Sequence, residues 1–343
     1  FFQAEDGIRD RSPSRGLGDV YKRQNGMWVK NLCLLSFSTT SAYRTVCLMI
    51  VILAYVTVLS SLAGEGTQVG AQVLIKSGNL RVVVADNAAY GTHHRQGYSG
   101  ISELYHGSSK RNLFVPAYAG LNFEHIFSGD STSYDWSIFE PRIAPIKLRR
   151  LEERKVELFQ KRTANWPLQS RLIYEHTGEN IVEMRARFRP LKDVWDKHGY
   201  IGVFFASYIH APEDMAIHFI GRSRPGKGKA APRWISHLPR THGDRASHRP
   251  AGSTWDPPTD PGFNIALVEG VSEYEYLYPF YYGISRGKVF IMMFKDVENG
   301  GELRFAQSPS GGGNGNPAWD FIFLARHYEI GKDIGFKKLY EKK

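Results

Sequence analysis

Between Ser170 and Arg189 apolar and polar side chains change places almost one for one. Val182, Met184, Ala186 and Phe188 interleave with Glu183, Arg185, Arg187 and Arg189. A strand with one buried face produces this period of two, and a helix does not. The run follows Ser170–Glu175 across Thr177-Gly178-Glu179-Asn180, so the pair reads as a hairpin. Val73–Ser77 and Leu80–Ala85 flank the turn signal Gly78-Asn79 and predict a second hairpin. Lys147–Leu151 and Val156–Gln160 predict a third, around Glu152-Glu153-Arg154. Further strands are predicted at Tyr200–Ile209, Ala216–Gly221, Asn264–Glu269, Lys288–Phe294, Leu303–Gln307 and Trp319–Ala325. No stretch after Gly64 carries a sustained helical stripe with caps. The segment from Arg222 to Gly262, rich in Gly, Pro, Arg and His, interrupts the strand pattern and predicts a long irregular insertion of the kind that is often functional. The expected fold is all-β, one large antiparallel β-sandwich over residues 64–343, with a jelly roll as the alternative.

The N-terminal part follows a different pattern. Residues 46–59 form an unbroken apolar run of about 14 residues, short for a membrane span and suited to the core of a signal peptide. Lys30 and Arg44 precede it, and Ser61-Leu62-Ala63 supplies small residues at −3 and −1. Residues 27–63 therefore predict an export signal, Gly64 the mature start, and a secreted, periplasmic or cell-surface location. Retention of the segment as an anchor is the alternative, and the only route to membrane contact. Upstream, Gln3-Ala-Glu-Asp-Gly-Ile-Arg-Asp10 and Arg15-Gly-Leu-Gly-Asp-Val-Tyr-Lys-Arg-Gln24 resemble in-frame translations of sequencing-adapter DNA. Residues 1–24 are thus expected to be an assembly artefact, with Met27 the natural start.

Charge and cysteine content narrow the chemistry. The chain carries a formal net charge of +10. Beyond Ala63 there are 37 Lys and Arg against 30 Asp and Glu, a net +7 that favours anionic polymers or surfaces. No nucleic-acid motif accompanies it and the charge is spread out, which argues against nucleic acid. Both cysteines, Cys33 and Cys47, precede Ala63, so the predicted mature chain has no disulfide, thiolate nucleophile or Cys-ligated zinc. No cofactor is implied. All 12 histidines fall in the mature region.

Three phrases, Asn112-Leu-Phe-Val-Pro-Ala-Tyr-Ala-Gly-Leu-Asn-Phe-Glu-His125, Gly199-Tyr-Ile-Gly-Val-Phe-Phe-Ala-Ser-Tyr-Ile-His-Ala-Pro-Glu-Asp214 and Gln307-Ser-Pro-Ser-Gly-Gly-Gly-Asn-Gly-Asn-Pro-Ala-Trp-Asp320, carry a resemblance. They are similar to a group of functionally unassigned secreted bacterial proteins with the galactose-mutarotase-like supersandwich fold, over roughly residues 72–340. The wider class contains sugar epimerases, polysaccharide lyases and glycosidase accessory domains, so the resemblance implies carbohydrate and no particular reaction. The paired His and Glu signature of aldose epimerases has no counterpart here, which counts against mutarotase activity.

Arg240-Thr-His-Gly-Asp-Arg-Ala-Ser-His-Arg249 is the densest polar cluster. His242 is a candidate proton carrier near neutral pH, with His248 beside Arg240 and Arg245 as substrate contacts. Guanidinium groups neutralise a uronate carboxylate and ease loss of the neighbouring carbon-bound proton, the combination that a β-eliminating lyase needs. A solvated basic loop is the plainer reading of the same residues. His125 is a second acid/base candidate. Regular alternation would place it on one face with Phe123 and Phe127, and Glu124 on the other with Asn122 in a structural role. His210 and Asp214, in Tyr208-Ile-His-Ala-Pro-Glu-Asp214, close an apolar strand where sites on β folds gather; Asp214 serves equally well as a turn residue. No known metal-ligand spacing occurs. Ser310-Gly-Gly-Gly-Asn-Gly-Asn-Pro317 lacks the features of a phosphate loop, leaving Asn314 and Asn316 as donors to sugar hydroxyls. Trp255, Tyr282 and Trp319 are candidate stacking platforms. Arg171, Arg185, Arg187 and Arg189 are expected on one sheet face, solvated and partly neutralised by Glu175 and Glu183. The sequence thus supports two classes of function. One is an enzyme attacking an acidic or substituted polysaccharide by elimination or hydrolysis; the other is a non-catalytic carbohydrate-binding or surface-structural protein.

Overall fold

The best-patterned hairpin forms β8 (Leu168–Gly178) and β9 (Ile181–Pro190), closed tightly at Glu179-Asn180. Their register pairs Leu172 with Ala186 and Tyr174 with Met184, so the apolar set of both strands faces one core. The computed structural model describes residues 67–68, 72–131, 136–224, 230–263, 265, 270–295, 297 and 300–342. All of these lie in the compact unit Ala63–Lys343. The expectations for residues 1–63, and those for Asn264–Glu269 apart from Ile265, fall outside the described residues.

The remaining strands, in chain order, are β1 (Thr67–Gln68), β2 (Gln72–Ser77), β3 (Leu80–Ala85), β4 (Gly100–His106), β5 (Asn122–Phe127), β6 (Lys147–Glu152), β7 (Lys155–Gln160), β10 (Ile201–Ala206), β11 (Ile217–Ser223), β12 (Arg233–His237), β13 (Ser247–Pro250), β14 (Val271–Tyr276), β15 (Phe280–Ser285), β16 (Lys288–Lys295), β17 (Glu302–Ser308), β18 (Ala318–Ala325) and β19 (Ile334–Lys342). One hydrogen-bonded path runs β1-β6-β7-β8-β9-β19-β16-β15-β11-β14-β13-β17-β18-β10-β5, with β12 attached to β11. Strands β2, β3 and β4 make a separate sheet. Pairing is antiparallel apart from β13 with β14. A single helical turn, α1 (Glu140–Ile143), follows a 3-10 turn at Trp136–Phe139.

The long path doubles back and becomes two layers, because its two halves share one aromatic core. Phe188 on β9 meets Phe123 on β5 at 5.6 Å and Phe323 on β18 at 6.3 Å. Phe336 on β19 lies 6.0 Å from Phe205 on β10 and 5.5 Å from Phe321 on β18. Each such ring contributes on the order of 1.5–3 kcal/mol by leaving water. The protein is an all-β sandwich, as the alternation predicts.

One layer departs from that alternation. Strands β5, β10, β17 and β18 are buried at every position. Their inner face meets β9, β16 and β19, while their outer face carries a second apolar cluster that includes Tyr98, Phe127, Phe204, Tyr208, Ile322 and Leu324. Loops cover this outer face, and polar side chains trapped between loop and sheet create the site described below. The interval Arg222–Gly262 is correspondingly not one irregular insertion: it contains β12, β13 and the end of β11.

Trp319 marks how tightly the layers meet. Its ring is fully buried, and an added Cβ on Gly283 of β15 would stand 2.2 Å from it. Gly283→Ala is expected to cost about 1–3 kcal/mol through overpacking, read as a lower denaturation midpoint at unchanged slope. A midpoint equal to the parent's would show that the ring has room to move.

Candidate functional site

β5 is not regular. Phe204 pairs with His125 and Phe205 with Phe123, leaving Glu124 as an extra residue, a β-bulge. The bulge overturns the expected separation of faces. Phe123 and Ile126 belong to the inner core and Phe127 to the outer cluster, while Glu124 and His125 lie together, with Oε1 3.5 Å from Nε2. Just before the strand Leu121 holds a φ of +52°, a conformation rare for a branched side chain, and its N–H donates to Ser207 Oγ.

Glu124 is buried and collects four partners from three segments. Asn122 Nδ2 donates to Oε2 at 2.9 Å and Tyr208 Oη donates at 2.5 Å. The Arg142 guanidinium stands 3.6 Å from Oε1. Burial alone would push the carboxyl up, but His125, Arg142 and the Tyr208 hydroxyl outweigh it and hold it at about 2. Burial and the same carboxylate push the Tyr208 phenol well up. Arg142 is fixed by its own short helix: Nε donates to Gly97 O, and the Asn87 and Gln160 side chains donate to the carbonyls that end α1. Its guanidinium lies 4.4 Å over Tyr98, which packs on Tyr118 and Tyr208. Arg95 completes the rim, donating to Tyr118 Oη at 2.7 Å.

His125 sits between Phe139 and Phe204, at 4.4 and 4.9 Å. Both of its ring nitrogens are buried; Nδ1 has no hydrogen-bond partner and Nε2 has only the Glu124 carboxylate, at a long 3.5 Å, so it is less fully bonded than an interior histidine usually is. His242 approaches from the turn at residues 242–245, where its Nδ1 bonds the Ser308 hydroxyl at 2.8 Å. The ring remains accessible, but the desolvation around it pulls its pKa down, partly countered by the charge of Glu124. His242 thus stands within electrostatic range of both Glu124 and His125, with desolvation disfavouring its charged form. The three phrases that carry the family resemblance supply Glu124 and His125, Tyr208, and Ser308.

The other candidates lie elsewhere. The His210 ring neighbours Arg286 and Arg111, away from this cluster. Asp214 accepts from Ala216 N and from His218 Nε2, both at 2.9 Å, as a turn-fixing residue. Its His218 partner stacks on Tyr282, which sits near Trp234 on a separate face. Arg240 and Arg245 are exposed. His248 is fully buried, bonded to Ser272 Oγ and packed on Phe219 and His237, which removes it from any polymer contact. Trp319 is likewise sealed in the core with its indole N–H donating to Met215 O, since β18 is covered on both faces. Asn316 uses both ends of its amide on Ala211 N and Gly312 O to pin the glycine-rich loop, while Asn314 stays exposed. Trp255 lines a cavity at the far end of the outer face. Arg171, Arg185, Arg187 and Arg189 do share a sheet face, with Glu157, Glu175, Glu183 and Asp333 among their partners. Among the described residues no group of three or more His, Asp or Glu side chains is placed to hold a metal.

Nothing local in the chain points to Arg142, Tyr98, Tyr118 and Arg95, because loops distant in the chain bring them over the sheet. Tyr208 was in view only as part of the segment that holds His210.

No protein-family model and no curated protein matches the chain. Among solved structures it is similar to the crystal structure of a heparan sulfate lyase HepC mutant from Pedobacter heparinus. The two are 13% identical with a TM-score of 0.27, over 81% of this chain and 36% of that one. The chain thus spans about a third of that protein's length.

A carboxyl whose folded value is about 2, against 4.5 when unperturbed, contributes stability that is complete above pH 4.5 and is lost as pH falls through 2. Glu124→Gln is expected to destabilise by roughly 2–3 kcal/mol at pH 7. The gap to the parent should close on acidification from pH 4.5 towards 2 in denaturant titrations. A gap independent of pH would mean that the carboxylate charge is not what the cluster uses.

Proposed function

We propose that this chain is an exported protein that cleaves an acidic polysaccharide by β-elimination at the Glu124–His125 cluster. The observation that carries the reading is His125, whose Nε2 stands 3.5 Å from the ionised Glu124 carboxylate while its Nδ1 has no hydrogen-bond partner, within electrostatic range of His242. Lyase chemistry at a uronate needs three things: a base for the carbon-bound proton, a cation for the carboxylate, and a donor for the departing glycosidic oxygen. His242 or His125 is the base. Arg142 and Arg95 line the same cluster as cations. Tyr118 accepts from Arg95, which leaves its own hydroxyl hydrogen for the leaving oxygen. Glu124 stays ionised throughout, orienting His125 and supporting positive charge that forms on it. Export rests on the apolar run at residues 46–59.

A second reading has an observation of its own. His125 is wedged between two phenylalanines, and partly exposed aromatics occur at Trp234, Tyr278 and Trp255. In that case the buried knot is structural, and the chain binds glycan without changing it.

Incubation of the full chain with uronic-acid polymers, monitored for unsaturated ends by ultraviolet absorbance, separates the two. The expected result is product that falls at least 100-fold in His125→Ala and in His242→Ala, with circular dichroism unchanged. Product undiminished in both variants refutes the assignment of the site. Retention on the polymer with no product from the parent supports the binding reading in its place.

A further inference from the structure

The outer face of β8, β9 and β19 lies on the opposite side of the sandwich from the Glu124 cluster, because Ala186, Phe188, Ile334 and Phe336 turn the other way into the shared core. Strand register lays out a small grid on this face. Gln169 stands opposite Arg189, and Arg171 opposite Arg187, across β8 and β9. Arg187 in turn faces Gly335 on β19, and Asp333 immediately precedes that strand. One position of the grid therefore has no side chain. The Arg187 guanidinium lies over that gap: a Cβ added to Gly335 would stand 3.2 Å from Nη1, which donates to Ala186 O at 3.3 Å.

The result is a pocket of about 50 Å³ lined by Gln169, Arg171, Arg187, Arg189 and Asp333. That is room for a few waters or one small oxyanion, and too little for a sugar ring. Three guanidinium groups meet one carboxylate in it, and Gln169 adds an amide. Among the described residues the lining holds no aromatic ring.

The cations are held in place from outside the pocket. Arg171 Nη1 donates to Glu157 Oε1 at 2.6 Å, and Glu157, fully buried on β7, has Arg149 at 3.6 Å as a second cation. Arg189 Nε donates to Asp333 Oδ1 at 2.6 Å. Each of these bonds engages one nitrogen of a fork that carries five donors. Like charges directly opposite one another weaken a sheet, yet Arg171 and Arg187 are so placed, with Arg189 at the neighbouring position on the same face of β9. An anion seated among the three offsets that repulsion.

We propose that this pocket binds one tetrahedral oxyanion, a sulfate ester carried by an acidic polysaccharide. Guanidinium groups at three grid positions suit an anion whose oxygens point in several directions, whereas a planar carboxylate is matched by a single fork. The inference deepens the acidic-polysaccharide reading and makes the face away from the Glu124 cluster an attachment surface. It rests on that reading for the kind of polymer and not for cleavage. Free sulfate shares the same chemistry, so the test separates the two sources.

The full chain is titrated with sodium sulfate, sodium acetate, dextran sulfate and unsulfated dextran at matched ionic strength, read by calorimetry and by the shift in Tm. Neither glucan carries a uronate, so neither reports on the chemistry assigned to the Glu124 cluster. Sulfate is expected to bind about ten-fold or more tighter than acetate, and dextran sulfate about ten-fold or more tighter than free sulfate, with no binding of dextran. Arg187→Gln should weaken dextran sulfate about ten-fold, and Arg187→Lys should recover only part of the loss, since an ammonium lacks the fork. Lys76→Gln, the same loss of charge at an exposed position on β2, should leave the affinity unchanged. Arg187 is the position to vary because Arg171 also neutralises the buried Glu157; circular dichroism of the variant should match the parent's. Equal affinity for sulfate and acetate, full affinity in Arg187→Gln, or equal losses in Arg187→Gln and Lys76→Gln overturns the site. Dextran sulfate no tighter than free sulfate overturns the polysaccharide as its ligand. Sulfate binding without unsaturated product from a uronic-acid polymer would keep the site and refute the lyase; product without sulfate binding would do the reverse.

Discussion

A carboxylate removed from water stays ionised only where the protein returns the hydrogen bonds and positive charge that water supplied. Glu124 sets that demand, and much of the local architecture answers it. Asn122 is two residues away on the same strand; Tyr208 follows β10; Arg142 comes from α1; His125 is the next residue, turned to the same side by the bulge. Each partner has its own support. Asn122 is also the acceptor for Ser99 N, and α1 is anchored by Asn87 and Gln160. One acid on β5 thereby holds two further segments of the chain, the one carrying Tyr208 and the one carrying Arg142, over one sheet.

The sheet makes this possible by having no solvated face in the layer β5–β10–β18–β17. In a sandwich of two layers the outer face normally meets water and carries polar residues without consequence. Here loops cover it, so every polar side chain on it is either satisfied or available for chemistry. Glu302 and Arg304 satisfy one another in part; His125 has only the Glu124 carboxylate, 3.5 Å from Nε2. The same outer surface holds the acid–imidazole cluster and, farther along β17, the buried Glu302–Arg304 pair.

How much of this the sequence discloses depends on which physics sets each feature. Strands with one wet face, such as Val182–Phe188, advertise themselves by alternation. The layer buried on both faces does not, so the sequence leaves Trp319 equally a stacking platform or a core residue, and it is core; His248 on β13 reads as accessible and is core too. Strands β12 and β13 are hidden in the sequence because Arg233–His237 and Ser247–Pro250 are short and held by backbone pairing, β12 with β11 and β13 with the distant β17, so their Gly-, Pro- and Arg-rich context looks like loop. His125 and His242 were legible from chemistry alone, as titratable groups in apolar or arginine-rich settings. The bulge was not: alternation assigned Glu124 to the opposite face, and only the register with Phe204 and Phe205 reveals the extra residue. Arg142 and Tyr98 were out of reach for a simpler reason, since nothing local indicates where a loop will land.

Strand β19 lies in the middle of the long sheet, hydrogen-bonded to β9 on one side and β16 on the other, although it is the strand nearest the C-terminal end of this chain. Until it arrives, β9 and β16 are open edges, and Phe205, Phe294 and Phe321 lack the Phe336 ring that packs against all three. Assembly must therefore wait for nearly the whole chain and then close over large sequence separations, the slow regime of folding, in which unpaired edges invite association. For a sheet built this way, completion follows the making of β19, and the interval before it is when the open edges of β9 and β16 are most prone to associate with other chains.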